Sequence, residues 1–594
     1  SQKRDRPIVS FKQRSHSHTE EFMRAGKGSL GGKARGLAFA YSRLINAELQ
    51  KSFPEIHISV PKAMVVSTDY FDDFMENNNL WEIAVGKNDN SKIEKKFLKA
   101  KLSKELTEIL KSFLEESNTP LAIRSSSLLE DSQYQPLAGM YATYMIPNCA
   151  KSNKERLKQI SEAIKRVYAS TFFQDPKSLM DNIIQRIEEE KMGVIIMEIA
   201  GKNHDGLFYP TVSGVAQSYN YYPVSYMKRD EGISFLALGL GRTIADGEKS
   251  LRVSPKYPNI LPQYYSISST IENSQNEFYA LDLLDGKNPM KEGVENNIKR
   301  YPLNVAENNN ELKWTASVVS SENNVIRDSL KYPGPRVMTF APLLKWKKFP
   351  LCELLNKLLK DGELALGCPV EIEFAINLNE KKSHEFYLLQ IKPMIIKGLE
   401  IKESIKDKRA TKDIICKSDL VLGDGRIDEI KDIIYVDPNL FKASDTKKIT
   451  KDIEKLNKQT KGRPYLLMGP GRWGSADPWL GIPVSWDQIS GARAIIEYSH
   501  EDMEPDPSFG SHFFQNITSL HIGYFTISRK KKSDLIKWEW FESTQTKKIS
   551  GAVKWIQLNQ PIHIDINTKN GTGRIFKPRL KKEDTMDEEM STGI

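Results

Sequence analysis

The chain has 594 residues, and 86 Lys plus Arg against 77 Asp plus Glu leave a formal charge of +9. So small an excess, with both signs interspersed, speaks against a nucleic-acid partner, and 39% hydrophobic with 27% charged residues is the composition of water-soluble domains. Four cysteines (Cys149, Cys352, Cys368 and Cys416) without a C-x-x-C pair exclude a disulfide scaffold and a zinc finger. At roughly 100–200 residues per domain the length predicts several domains. No run approaches ~18 apolar residues and the N-terminus lacks a signal's apolar core, so a reduced, cytoplasmic protein with no membrane partner is expected. The first residue is Ser1 rather than Met, as in a piece excised from a longer chain.

Residues 1–21 are polar and basic without periodicity and read as a disordered tail. Gly26–Arg35, GKGSLGGKAR, fails as a P-loop because Lys27 stands five before Gly32 and Ala34 follows Lys33. It leaves Lys33 on a Gly-rich turn opening a helical stretch, Ala34–Asn46, a geometry that offers an ammonium and backbone N–H groups to an anion. Leu121–Glu130, LAIRSSSLLE, ends an apolar run with Arg124 and three hydroxyls, followed by a loop, Asp131–Tyr141, that contains Gly139. That combination suits a phosphate clamp. Helices are expected at Ser152–Ser170 and Asp181–Lys191, and buried strands at Gly193–Ile199, which carries one acid, Glu198, at Ser234–Leu238 and at Glu385–Ile391.

Gly239–Gly241 lacks the third glycine of a dinucleotide fingerprint. Asn308–Asn310 and Ser320–Asn324 read as loops around a strand-like piece, Leu312–Val319. In Val370–Phe374, VEIEF, the period of two puts Glu371 and Glu373 on one face, and Tyr387–Pro393 does the same for Gln390 and Lys392. Two carboxylates and an amide oxygen on neighbouring strands are hard ligands suited to Mg²⁺, with a Lys to meet the phosphates that share the metal.

Residues 398–418 are charged, poor in large apolar side chains and read as a linker. Beyond it a β-rich domain is expected over 419–577, with a charged helix at Lys447–Lys461 and strands at Tyr465–Met468, Ala494–Tyr498, His521–Ile527, Leu535–Glu542 and Val553–Ile566. The last residues, 578–594, form a charged tail. Gly469–Gly474, GPGRWG, matches G-x-G-x-x-G, but Pro478 and Pro483 follow too closely for the helix a Rossmann turn must open. Its loop still gathers Arg472, Asp477 and three Trp, and Ser508–Ser519 carries His512 beside a hydroxyl and aromatics. Such residues in long loops are candidates for ligand or acceptor roles, against the commoner fate of a lone His as a packed side chain. The other eight His have no motif around them.

In order, GGK, IRSS, the Gly139 loop, the Glu198 strand, GLG, EIEF and LLQ-x-(basic)-P resemble the N-terminal ATP-grasp nucleotide-binding domain of pyruvate phosphate dikinase, phosphoenolpyruvate synthase and rifamycin phosphotransferase, over roughly residues 22–397. The resemblance implies an α/β (α+β) fold: a two-lobed ATP-grasp domain followed by the smaller β-rich domain. It implies ATP and Mg²⁺ as ligands, with Lys33, Arg124 and Lys392 on the triphosphate and the Gly139 loop over it. It also implies adenine at Glu198 and Ile199, ribose near Gly239, Gly241 and Arg242, Glu371 as a further nucleotide contact, and the metal on Glu373 and Gln390.

Departures from the family pattern are Met197 where the family has Gln, Glu371 for Asp, Lys392 for Arg, and Arg242 for the Glu of GLGE, for which Glu248 is a nearby substitute. The family's G-x-T-S-H-A phosphohistidine segment and its pyruvate barrel of about 250 residues are not recognisable here; Gly510-Ser511-His512 echoes only the S-H. The expected function is therefore an ATP-dependent phosphotransferase of the dikinase type, acting on His512, on a His of a partner, or on a small molecule. The alternative is a module that senses ATP without transferring phosphate. Oligomeric state is left open.

Overall fold

The structure, a computed structural model, describes residues 9–10, 22–127, 130, 139–174, 176–177, 190–223, 227–283, 297–320, 322–394, 411–460, 462–475, 477, 479–501, 503–505, 511–520, 522–567 and 571–578. Nearly all of both expected tails, the loop 131–138, most of the helix expected at Asp181–Lys191 and most of the linker lie outside the described residues. The chain divides into two compact units, one of 1–396 with 508–520 and the other of 397–507 with 521–594.

Among the described residues, two six-stranded sheets are the largest in the first unit, beside a four-stranded and a three-stranded sheet. The first sheet contains β1 (Val9–Ser10), β2 (Phe22–Ala25), β3 (Ala63–Val66), β4 (Leu121–Ser127), β5 (Thr143–Ile146) and β6 (Met192–Glu198). Their spatial order is β1-β2-β3-β6-β4-β5, so β3 and β6 are central and read as near-continuous apolar runs, as strands covered on both faces must. The second sheet is β9-β8-β7-β10-β11, from β7 (Val212–Gln217), β8 (Ile233–Ala237), β9 (Leu251–Val253), β10 (Val370–Asn377) and β11 (His384–Pro393), with the strand Ile56–Ser59 parallel to β11 at its edge. A segment from the first sheet's part of the chain thus completes the second.

Helix α1 (Gly32–Phe39) packs on both β4 and β11 and ties the two sheets together. Helix α2 (Asn153–Ser170) buries Ile160, Ala163, Ile164 and Val167, spaced as one face of a 3.6-residue repeat, and Ser152 caps it by accepting from the Glu155 amide at 3.2 Å. A continuous apolar core runs from Phe22, Leu37 and Val65 to Ile372, Leu388 and Ile391.

The second unit holds a seven-stranded sheet whose centre is four parallel strands, β12 (Asp432–Val436), β13 (Tyr465–Pro470), β14 (Ala492–Tyr498) and β15 (Gly523–Ile527). Helix α3 (Thr446–Gln459) makes the crossover from β12 to β13. A five-stranded sheet accompanies it. Between β14 and β15 the chain makes α4 (His512–Ser519), capped by Ser511 Oγ, which accepts from the Phe514 amide at 3.2 Å. Although α4 lies inside the 419–577 stretch in sequence, it packs with the first unit.

Three sequence expectations change in detail. Leu312–Val319 is a short 3-10 turn, Leu312–Trp314, followed by a strand, Ser317–Ser320. Leu535–Glu542 is a two-residue strand and then a helix, Trp538–Ser543, because Phe541 enters the core while Glu539 stays outward, a helical spacing hidden by the alternation in KWEWFE. Val553–Ile566 is two strands, Val553–Gln557 and His563–Asn567, broken around Pro561, which cannot donate to a ladder.

Candidate active site

The antiparallel register of β10 with β11 places Glu371 opposite Lys392 and Glu373 opposite Gln390, and that pairing is the frame of the site. Alternation puts both pairs on the same face, and β7 adds Gln217 opposite Glu371. From the first sheet, Arg124 reaches across: its Nη2 donates to Glu373 Oε2 at 3.1 Å and to Gln390 Oε1 at 2.6 Å, and Nη1 to the Leu389 carbonyl at 3.3 Å. The two expected metal ligands therefore already converge on one cation. Burial alone would raise the Glu373 pKa, but Arg124, then Lys392, His512 and Lys33, outweigh it and hold the carboxyl below its ordinary range.

Lys33 lies at the start of α1, buried, and its Nζ donates to Glu130 Oε1 at 2.6 Å and to Ser125 Oγ at 3.2 Å. Glu130 is fully buried and also accepts from Ser125 Oγ at 3.0 Å and the Ser127 amide at 3.1 Å. The two glycines before Lys33 are steric requirements. Gly31 has φ +80°, and a Cβ there would lie 1.8 Å from the Ser126 carbonyl oxygen, while one on Gly32 would lie 1.5 Å from that of Glu130. Only this close approach lets Ser126 Oγ accept from the Ala34 amide at 3.0 Å at the mouth of α1.

Lys392 pairs with Glu371 at 2.9 Å. Gln217 Nε2 donates to the other Glu371 oxygen at 2.6 Å, so both oxygens of this buried carboxylate are engaged within the protein. Helix α4 closes the group. Gln515 Nε2 donates to Glu371 Oε1 at 2.7 Å, and Gln515 Oε1 accepts from Lys392 Nζ at 2.8 Å. Phe514 is buried against Tyr221 and Tyr222, with centroids 6.0 and 6.3 Å apart.

Three residues before Gln515, His512 meets Gly139: with φ +68°, a Cβ on that glycine would stand 2.5 Å from His512 Nδ1. His512 remains exposed as a residue. Even so, the protein mass around its imidazole, with Lys392, Lys33 and Arg124 opposed by Glu373, pushes its pKa down to about 4. The ring is neutral near pH 7.

Elsewhere in the same unit, the Glu198 amide donates to the Lys62 carbonyl at 2.9 Å and the Ile199 amide to that of Pro120 at 2.8 Å. Glu198 Oε1 accepts from Ser117 Oγ at 2.8 Å. Met197 is buried in the core. Ser213 Oγ donates to the Gly239 carbonyl at 2.6 Å, and Gly241 adjoins Ser213. Arg242 donates to Asp246 at 2.9 Å and lies over the Tyr279 ring at 5.3 Å, with Arg300 over the same ring at 5.1 Å. Glu248 accepts from Tyr279 Oη at 2.8 Å and from Arg300.

The structure thus brings Lys33, Arg124, Glu371, Glu373, Gln390, Lys392, Gly139 and His512 together, while the contacts described above for Glu198, Ile199, Gly239, Gly241 and Arg242 are to other residues of the same unit. Sequence reasoning missed Glu130, Gln217 and Gln515. Glu130 closes the quoted LAIRSSSLLE run and Gln515 stands one helical turn after His512, but neither spacing announces its partner. Arg472, Asp477 and Trp473 belong to the second unit. There the Trp473 amide donates to the buried Glu497 at 2.9 Å, which also accepts from Tyr524 Oη at 2.5 Å.

Two sheets tied by α1 and by Arg124, with cations at their junction and a glycine-bordered helix start, suit a nucleotide-binding domain. Residues 27–413 match the family described as pyruvate phosphate dikinase, AMP/ATP-binding domain, and the chain belongs to that family. Over 356 residues it is 25% identical to a protein of Bacillus subtilis (strain 168) named uncharacterized phosphotransferase YvkC. That similarity covers 59% of this chain and 33% of the relative, so the chain spans about a third of that protein's length. Among the described residues no helix is long and apolar enough to cross a membrane.

Proposed function

We propose that the first unit is an ATP-grasp site that transfers a phosphoryl group from Mg-ATP to the imidazole of His512, from which it passes to an acceptor. The observation that carries this reading is the place of His512, on a docked helix against Gly139 and within the electrostatic reach of Lys33, Arg124 and Lys392, which together with burial lower its pKa. A protonated ring has no lone pair to offer phosphorus. The protein packed around the ring lowers its pKa first, and the same three cations that would neutralise a triphosphate add to that against Glu373.

A nitrogen of His512 bonds to phosphorus as the bond from phosphorus to the bridging oxygen breaks, and that oxygen keeps the electron pair and leaves with the nucleotide. No proton need move. The work of the protein is then positioning and charge, as in phosphoryl transfer generally. Arg124 leaves Glu373 and Gln390 for the phosphates, Lys33 turns from Glu130, and Lys392 lies beside the acceptor ring. The bordering glycine, Gly139, allows the ring its place. The base would meet Glu198 and Ile199 through their carbonyls, since both amides are engaged, with the ribose toward Gly239, Gly241 and Arg242.

Glu373 and Gln390 fit Mg²⁺: two hard oxygens converge on a single positive group, which Arg124 supplies in this structure. Among the described residues no group of three or more His, Cys, Asp or Glu could hold a metal alone, and Mg²⁺ characteristically takes one or two carboxylates plus substrate phosphates. When bound, it supplies charge neutralisation across the phosphates.

ATP labelled separately at the β and γ positions tests the reading. Transfer predicts an acid-labile label on the protein that the substitution His512→Asn removes. Intact ATP that raises the melting temperature without labelling would instead make this an ATP sensor, and a label that survives in His512→Asn would remove His512 from the reaction.

A further inference from the structure

We propose that Gln515 is a positioning residue that locks the His512 helix onto the Glu371–Lys392 ion pair and so sets the distance from the acceptor ring to the phosphoryl donor. The inference rests on the transfer reading above. Of the contacts that hold α4 in the first unit, those of Phe514 and Gln515 differ in what they specify. Phe514 sits among Tyr221 and Tyr222 through ring contacts, which tolerate rotation and sliding. Gln515 does not tolerate them.

Its single amide makes one bond as donor to Glu371 Oε1 at 2.7 Å and one as acceptor from Lys392 Nζ at 2.8 Å, two partners of opposite charge that are themselves 2.9 Å apart. Both partners are buried, and Glu371 is fixed from behind by Gln217. The three groups close a triangle whose donor and acceptor order an amide satisfies with Glu371 and Lys392 both charged, and a carboxylate in its place does not. Residues 512 and 515 stand one turn apart on the same helix face, with their Cβ atoms about 5–6 Å apart. Rotation or slippage of α4 at Gln515 is therefore passed directly to the His512 ring.

Gln515→Glu keeps shape and size but offers Glu371 an oxygen where it needs a donor, so α4 is pushed away from the pair by like charge. A displacement of about 1 Å costs on the order of 100-fold in a group transfer. Gln515→Glu is thus expected to slow single-turnover phosphorylation of His512 by about 10- to 100-fold. Mg-ATP affinity, read by the nucleotide-induced rise in melting temperature, should hold within about threefold, since Gln515 is not a nucleotide ligand.

The exchange variant Gln515→Glu/Glu371→Gln restores the order of donor and acceptor around Lys392, and should recover at least tenfold of the lost rate. A purely structural role for Gln515 would instead lower nucleotide affinity in parallel with rate. If wild type carries no label on His512, the transfer reading itself fails. If wild type is labelled and Gln515→Glu is labelled equally fast, or loses nucleotide binding in parallel with rate, or is not rescued by the exchange, the positioning role is overturned.

Discussion

Lys33 has two claims on it, and a pair of substitutions separates them. In the structure its ammonium is 2.6 Å from Glu130, with side chains 11% and 0% exposed, so removing the cation leaves a carboxylate deep in the protein. Lys33→Met deletes the charge at similar length. Glu130 keeps the Ser125 hydroxyl and the Ser127 amide, but two neutral donors do not replace an ammonium, and breaking a buried pair from one side costs about 3–5 kcal/mol. Lys33→Met/Glu130→Gln removes the orphaned charge while an amide oxygen can still accept from Ser127. What remains is the loss of a charge-assisted bond, about 1.5–3 kcal/mol, so the second substitution should return on the order of 1–3 kcal/mol.

A chain of two units has no single unfolding free energy, so the readout must be local. Hydrogen exchange of the strand Leu121–Ser127, whose Ser127 amide binds Glu130, supplies it. At 1.4 kcal/mol per factor of ten, Lys33→Met should lose about 10²- to 10³-fold of protection there, and the double variant should regain about tenfold or more. Protection unchanged in Lys33→Met, or no better in the double variant, would refute the idea that Lys33 is a structural ion-pair partner before it is a phosphate ligand.

The rate of His512 phosphorylation should stay level from pH 7 down to about 5 and fall only as the pH nears the ring's lowered pKa of about 4, whereas an ordinary His would lose its lone pair through 6.5. Because the folded chain binds this proton less readily than the unfolded one, acidification between those two values also weakens the docked state, which is checked by exchange of the α4 amides against pH. Gly139→Ala adds a Cβ at φ +68° and 2.5 Å from the imidazole, so it should displace the ring and abolish labelling while leaving the Lys33–Glu130 region protected as in wild type. Labelling at the wild-type rate in that variant would count against the position assigned to His512.

Much of the first unit is legible in the sequence because its chemistry is local. Period-two alternation alone puts Glu371 with Glu373 and Gln390 with Lys392, since a strand sends every second side chain to the same face. GGK and IRSS likewise mark a cation at a glycine turn and another at a strand end. What alternation cannot supply is register, and register decides that Glu371 meets Lys392 while Glu373 meets Gln390. It also cannot supply partners from distant segments. Arg124 contacts residues some 250 positions later, and Glu130 and Gln217 carry no spacing signal of their own, because a buried charge recruits whatever donors the packing brings near.

The fate of His512 belongs wholly to tertiary structure. The sequence offered a lone His in a loop of the C-terminal part, without a motif. The fold makes it the first residue of a helix that leaves the β14–β15 crossover and packs in the first unit, where the surrounding protein and three cations set its protonation. Composition and pattern thus determined the class of chemistry, a phosphate-handling α/β domain. Long-range packing decided that a histidine joins that cluster, because the energy that holds α4 comes from contacts whose partners lie more than a hundred residues away.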